Sequence, residues 1–375
     1  MLGRILSFSL TVLVIISSQA QTAFYKHLEG KVGDNINIVL DIVAIGDNIG
    51  GYYYYYFDDT LGDDSWTHYG KSMPVNGKLN AMNVFEFSEF NPDVKGSSFK
   101  GEFKDGIITG TWTSSDGRKQ LPFKATETYP LGTMAFKVNY LKDKALLTGK
   151  SNSPTADLHL SLLLPVDYPV ASIADSVTAF IYEDFFEKAG PETDPSLLLG
   201  QARDLYFRNY KTSNQDIYQE GSASFNWEKI QETRILHNEH DVLSVENFTY
   251  GYTGGAHGLS VSKFRVIDLQ DGHQVSLDEV FRDNYQNDLR DILNAAAREK
   301  YKLGRNQSLL EAGFFNESLD PGSNFYITKD GIGFYYNQYE VAPFALGPVE
   351  IFINYREIRR LLHPDSPAKR LFSGQ

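Results

Sequence analysis

The chain contains no cysteine among its 375 residues. That excludes disulfides, thiol nucleophiles, thiolate metal sites and cysteine-held iron–sulfur clusters together. The fold must then be held by its core. Basic residues are in deficit, with 35 Lys and Arg against 48 Asp and Glu, a net charge of −13. Nucleic acid and anionic membrane surfaces both need clustered positive charge, so neither is expected as a partner. A basic protein partner would instead be steered inward. The Gly-x-Ser-x-Gly elbow, the P-loop and the dinucleotide fingerprint are missing. Beyond residue 20 no apolar run approaches the roughly 20 residues of a membrane-spanning helix.

The first 20 residues are different. Arg4 supplies a positive start, Ile5 to Ile16 is mostly apolar, and Ser18-Gln19-Ala20 has small residues where a signal peptidase inspects them. This pattern predicts a secretory signal over 1–20, cleaved after Ala20. The expected localisation is periplasmic or secreted, with no membrane span left after cleavage. No cysteine follows the apolar run to carry a lipid anchor.

What the chain has in quantity is aromatic side chains, 23 Tyr and 25 Phe, which suit pleated β-sheet surfaces. Residues 21–130 read as all-β. Ile36, Ile38, Leu40 and Ile42 alternate with Asn35, Asn37, Val39 and Asp41, the period of a half-buried strand. Asp105-Gly106 and Asp116-Gly117 separate alternating runs, a hairpin signal. Tyr52 to Tyr56 places tyrosines on both faces of one strand, the outer face expected to be covered by a neighbour. Asp58, Asp59, Asp63 and Asp64 lack calcium-loop spacing and read as a solvated loop. Pro130 and Gly132 mark a boundary.

An α+β region over 131–240 is expected next, with a helix from Ser172 to Lys188. Asp194-Pro195 opens a second helix, a capping residue before proline at the first helical position. Strands from Ser222 to His237 and Val242 to Tyr252 flank a turn at Asn238–His240. The last region, 241–375, carries a capping box at Ser276–Glu279. One helix is expected from there through Val280, Phe281, Tyr285, Leu289, Ile292, Leu293 and Ala296. Asp330-Gly331 predicts a hairpin, and Val349, Ile351 and Ile353 a final strand. The predicted class is α+β: an N-terminal all-β meander or barrel, then antiparallel sheets packed with a few helices.

Tyr252-Thr253-Gly254-Gly255-Ala256-His257-Gly258 is the most distinctive segment. Paired glycines permit a backbone other residues resist, and they expose N–H groups. His257 could donate, accept or bind metal, or bond locally within a demanding turn. With Tyr339-Glu340-Val341-Ala342-Pro343-Phe344 inside the block 331–355, this segment resembles the extracytoplasmic domain of the RsiV anti-sigma factor and the accessory domains of PdaC-type polysaccharide deacetylases. The resemblance covers about 240–362 as an RsiV-like domain, extends to 135–240 as a PdaC-like accessory domain, and leaves the N-terminal β region unaddressed. It implies an exported, non-catalytic binding protein of the cell envelope, recognising a cell-wall glycan or a basic wall-degrading enzyme such as lysozyme. Tyr252, Thr253, Gly254, Gly255, His257, Tyr339, Glu340, Pro343 and Phe344 are then the candidate binding residues, with no catalytic residue, metal or cofactor assigned. The alternative is a wall-glycan hydrolase or deacetylase-like enzyme using His257 with a carboxylate or metal. His237, His240 and Asp241 together with His257 would be a zinc set, although turn residues are ordinarily exposed and polar. Glu86/Glu89 and Glu183/Glu187 could mimic a glycosidase pair, with surface charge the simpler account.

Overall fold

A computed structural model describes residues 23–372, apart from 62–63, 91–93, 151, 187–193 and 220–222. The signal segment predicted over 1–20 lies outside the described residues.

Nine strands come first: β1 (Ala23–Val32), β2 (Ile36–Ile45), β3 (Asn48–Leu61), β4 (Asp64–Tyr69), β5 (Met73–Leu79), β6 (Val84–Glu89), β7 (Ser98–Lys104), β8 (Ile107–Thr113) and β9 (Gln120–Glu127). Eight of them close into an antiparallel barrel in the order β2-β1-β9-β8-β7-β6-β5-β3, with β3 returning to pair β2 and β4 appended outside β3. Its interior is filled. Tyr53, Phe87 and Phe123 all pack around Phe99 at ring separations of 5.1 to 5.2 Å. A barrel of eight strands is just wide enough for side chains to fill it, so this one is a core and not a ligand cup. Asp105 and Gly106, both at positive φ, make the expected two-residue turn. Asp116-Gly117 does not. It sits in a longer loop in which only Gly117 has positive φ, and Asp116 accepts from the Ser114 hydroxyl.

Five further strands form a second sheet in chain order: β10 (Ala135–Leu146), β11 (Thr155–Val166), β12 (Trp227–Glu239), β13 (Val242–Tyr252) and β14 (Leu259–Asp268). The sheet is antiparallel as expected at three of its four pairings, and β11 and β12 alone run parallel. The cause is the chain between them, two helices long enough to carry it back across the sheet: α1 (Ala171–Phe186) and α2 (Pro195–Asn214). Asp194 caps α2 by accepting from the Ser196 N–H, with Pro195 in the first turn. One sheet face meets α1, where Arg265 pairs with Asp184 and, at 2.9 Å, with Glu183.

The third unit is α3 (Leu277–Val280), α4 (Gln286–Lys300), the antiparallel sheet β15 (Phe325–Ile327), β16 (Gly331–Tyr336) and β17 (Val349–Asn354), then α5 (Tyr355–Ile358) and α6 (Lys369–Phe372). The single long helix expected after the capping box is in fact two. The box at Ser276 is present, but Phe281 is extended and bridges Leu362, and Asn284 takes positive φ before α4 begins. No helix among the described residues is long and apolar enough to cross a membrane.

The barrel rests against the second sheet through the outward face of β3 and through β1. Tyr54 donates to Glu239 at 2.5 Å, and Asn238 donates to the Tyr25 hydroxyl at 2.8 Å. The five-tyrosine run therefore serves two cores: Tyr53 fills the barrel, while Tyr52 and Tyr54 face the neighbouring sheet. The same packing buries Val39 and Asp41 on the outer face of β2, which alternation alone would leave half-exposed.

Candidate functional site

The turn between β13 and β14 is built on Gly254 and Gly255, at φ 95° and 96°. A side chain on Gly254 would lie 2.5 Å from the Ser224 carbonyl oxygen, so only glycine fits. Tyr252 closes the turn by donating to the Gly255 carbonyl at 3.1 Å. Thr253 and His257 are exposed. The loop after β16 docks beside this turn because its side-chain amides replace the missing strand on the edge of β14. Gln338 accepts from the Ser260 N–H at 3.1 Å and Asn337 from the Ser262 N–H at 2.7 Å. Glu340 accepts from the Asn337 N–H at 2.8 Å and shapes the loop. The two candidate segments are thus brought together. His257 stacks on Phe344 with ring centroids 3.6 Å apart, and Tyr339 lies 5.8 Å from the same ring. With exposed Pro343 at its border, this is an aromatic shelf open to solvent. His257 Nδ1 approaches the Gly258 carbonyl, and no carboxylate bonds it among the described residues.

A cleft of about 740 Å³ opens beyond the shelf, between the barrel, the second sheet and β15–β17. Tyr52 enters it from the barrel. Phe264, Tyr335, Tyr326 and Phe352 line it from the other side, Phe264 standing 5.1 Å from both Tyr326 and Tyr335. Lys71 lies 5.8 Å over the Phe352 ring. Two of the carboxylates in the cleft, Glu246 and Glu350, are engaged. Glu246 accepts from the Ser262 hydroxyl at 2.6 Å and faces Arg234 at 3.5 Å, and Glu350 accepts from the Tyr326 hydroxyl at 2.5 Å. Burial first, and then the facing glutamates, push the phenols of Tyr52 and Tyr326 well above their ordinary value. Burial would lower the Arg234 guanidinium, but Glu246 and Glu232 outweigh it, so the group stays charged. A second cavity of about 490 Å³ lies on the other side of Tyr52 along the same seam.

Cleft and shelf share one sheet face. The β13/β14 register puts Glu246 opposite Phe264, Phe248 opposite Ser262 and Tyr250 opposite Ser260. Arg234 lies 3.9 Å over the Phe248 ring. From Glu246 to Tyr252 this strip runs about 20 Å at the strand rise.

Other sequence-derived candidates separate. The expected turn at Asn238–His240 moves to His240 and Asp241, both at positive φ. His237, Asn238 and Glu239 are buried strand residues, because the barrel covers them. His240 and His257 lie at opposite ends of β13, roughly 30 Å apart, so they cannot share a zinc ion. Asp58 and Asp59 lie in strand β3 and not in a loop. Asp63 and the Asp64 side chain fall outside the described residues. Glu86 pairs with Lys100 while Glu89 accepts from Tyr53 inside the barrel. Glu183 is held by Arg265, and Glu187 is outside the described residues. The cleft itself was missed. Its residues read as strand interior, and the only local signals were acids at Glu246 and Glu350 among apolar neighbours.

Residues 278–356 match a family described as protein of unknown function DUF3298. The peptidoglycan-N-acetylmuramic acid deacetylase PdaC of Bacillus subtilis (strain 168) is 26% identical over 157 residues, 41% of this chain and 33% of that protein. The chain thus matches about a third of that relative's length. A crystal structure of a DUF3298 family member from Bacteroides fragilis NCTC 9343 aligns with TM-score 0.59 and 26% identity, over 64% of this chain and 98% of the other. A DUF3298 family protein from Pseudomonas aeruginosa PAO1 aligns with TM-score 0.43 and 16% identity over the same shares.

Proposed function

Since the chain carries a DUF3298 domain and is related to part of PdaC, we propose that it is an extracytoplasmic, non-catalytic binding protein of the cell envelope that recognises a wall glycan. The aromatic cleft with its engaged carboxylates is the observation that carries this reading. Sugar rings offer apolar C–H faces to aromatic side chains and hydroxyls to carboxylates and amides, and this cleft pairs the two kinds of partner. Glu246 and Glu350 are each held by a hydroxyl donor, which suits accepting from a ligand better than proton transfer. His257 supports contact in the same way, since its ring is stacked and bonds locally. A basic wall-degrading enzyme such as lysozyme is the second ligand class, favoured by the charge of −13.

Calorimetric titration against purified peptidoglycan fragments and against lysozyme tests both. Saturable glycan binding weakened by Phe352→Ala or Tyr335→Ala supports the cleft. Binding weakened only by His257→Ala or Tyr339→Ala moves the contact to the shelf. Retention of neither ligand by folded protein removes the recognition reading.

A further inference from the structure

A second cluster lies apart from the cleft, where β1 meets the end of β12. His27 and Glu29 stand two residues apart on β1, and Glu239 is the last residue of β12. An imidazole nitrogen of His27 and one carboxylate oxygen from each glutamate all lie within 4.8 Å of one another. His27 is 0% exposed. Its Nδ1 lies 2.8 Å from Asp41 Oδ1, and a proton on Nδ1 donated there fixes the ring's orientation. Asp41 also accepts from the Tyr25 hydroxyl, which accepts from Asn238. The other nitrogen, Nε2, is buried and has no hydrogen-bond partner. It points into the cluster, 3.6 Å from Glu29 Oε1. Tyr54 holds one oxygen of Glu239.

We propose that His27 Nε2, Glu29 and Glu239 bind a divalent transition-metal cation, zinc in the first instance. A histidine whose far nitrogen is held by a carboxylate is the arrangement metal-ligating imidazoles adopt. One imidazole among carboxylates selects a transition metal over calcium or magnesium, which prefer oxygen alone. Zinc bonds of 2.0–2.2 Å place tetrahedral ligand atoms roughly 3.4 Å apart. The His27–Glu29 approach of 3.6 Å is close to that, and Glu239, within 4.8 Å of both, needs to close by at most roughly 1.4 Å. The half-exposed Glu29 side chain leaves a way in and a fourth position for water. Lys329 competes with a cation for Glu239, and a proton competes for Nε2, opposed by burial but favoured by Asp41 and Glu29. Because two ligands belong to the barrel and one to the second sheet, the ion would pin these units together.

The test uses the untagged, metal-stripped chain with zinc chloride as the only probe. Equilibrium dialysis with metal analysis is expected to give one zinc per chain, with a raised Tm and a cobalt(II) absorption band on substitution. Glu29→Gln and Glu239→Gln should each lower affinity by at least about tenfold, while His363→Ala leaves it unchanged. Glu29→Gln alters a half-exposed side chain, so it decides the matter if His27→Ala does not fold. Folded wild type that retains no zinc and shows no Tm shift overturns the proposal and leaves Nε2 to a proton. Unchanged zinc binding in both glutamine variants places the ion elsewhere and overturns it equally.

Discussion

At Tyr339 the backbone takes φ 69° while the side chain is 53% exposed. A left-handed conformation in a bulky residue costs on the order of 1–3 kcal/mol. Among the described residues the ring contact of Tyr339 is with Phe344, and the rest of the side chain faces solvent, which offsets little of that cost. The expected outcome for Tyr339→Gly is a gain of up to about 1 kcal/mol in chemical denaturation, together with weaker ligand binding if the shelf contributes. Asp330 shows the opposite imbalance. It is buried, and burial pushes its carboxyl up to about 6 despite a hydrogen bond from Thr328 and the charge of Lys71. Between the ordinary carboxylate value and about 6, the folded chain holds a proton that the unfolded chain has released. Stability from this group is therefore full below that window and is lost as pH rises through it. The loss is on the order of 2–3 kcal/mol. The stability difference between Asp330→Asn and wild type, followed by urea titration from pH 4 to 7, is expected to favour the variant increasingly as pH rises.

Along each element, much was legible because the signal was local. Asp194-Pro195, the Ser276–Glu279 box and the Asp105-Gly106 turn each depend on atoms a few residues apart, and all three form. The break at Phe281 was not legible, since helical spacing continues through it and the bridge that stops the helix comes from Leu362. The edge of β14 was hidden for the same reason. Its N–H groups are met by the Asn324, Asn337 and Gln338 side chains, from residues 60 to 78 positions away. Asn337→Ala would leave the Ser262 N–H without its acceptor, and a buried unsatisfied donor costs about 1–3 kcal/mol. That loss should register in denaturant midpoints, with faster hydrogen exchange at Ser262. Asn324→Ala should do the same at Phe264, and the two losses should not add fully because they hold one edge.

At the scale of the molecule, the seam between barrel and second sheet determines which polar residues are buried. Alternation predicted strands well within each region, yet it could not reveal that β3 would lie against β12 and β13. For that reason the HNEH segment read as an exposed turn, and the cleft was not visible. Tyr52 and Pro74 line both of the seam's cavities, and Tyr52 supplies the aromatic ring between them. Its hydroxyl is 3.4 Å from Glu246, a weak bond, so the ring and not the hydroxyl should matter. Tyr52→Phe is expected to change glycan affinity by no more than about threefold, the equivalent of under 1 kcal/mol. Tyr52→Ala removes the wall between the cavities. It should destabilise by about 2–3 kcal/mol, less than the largest buried-aromatic losses because Tyr52 is partly and not fully buried. It should also weaken binding well beyond the phenylalanine variant. Calorimetry on both variants checks this. Equal affinity of Tyr52→Ala and wild type would mean that the barrel contributes nothing to the cleft, and that recognition belongs to the C-terminal units alone.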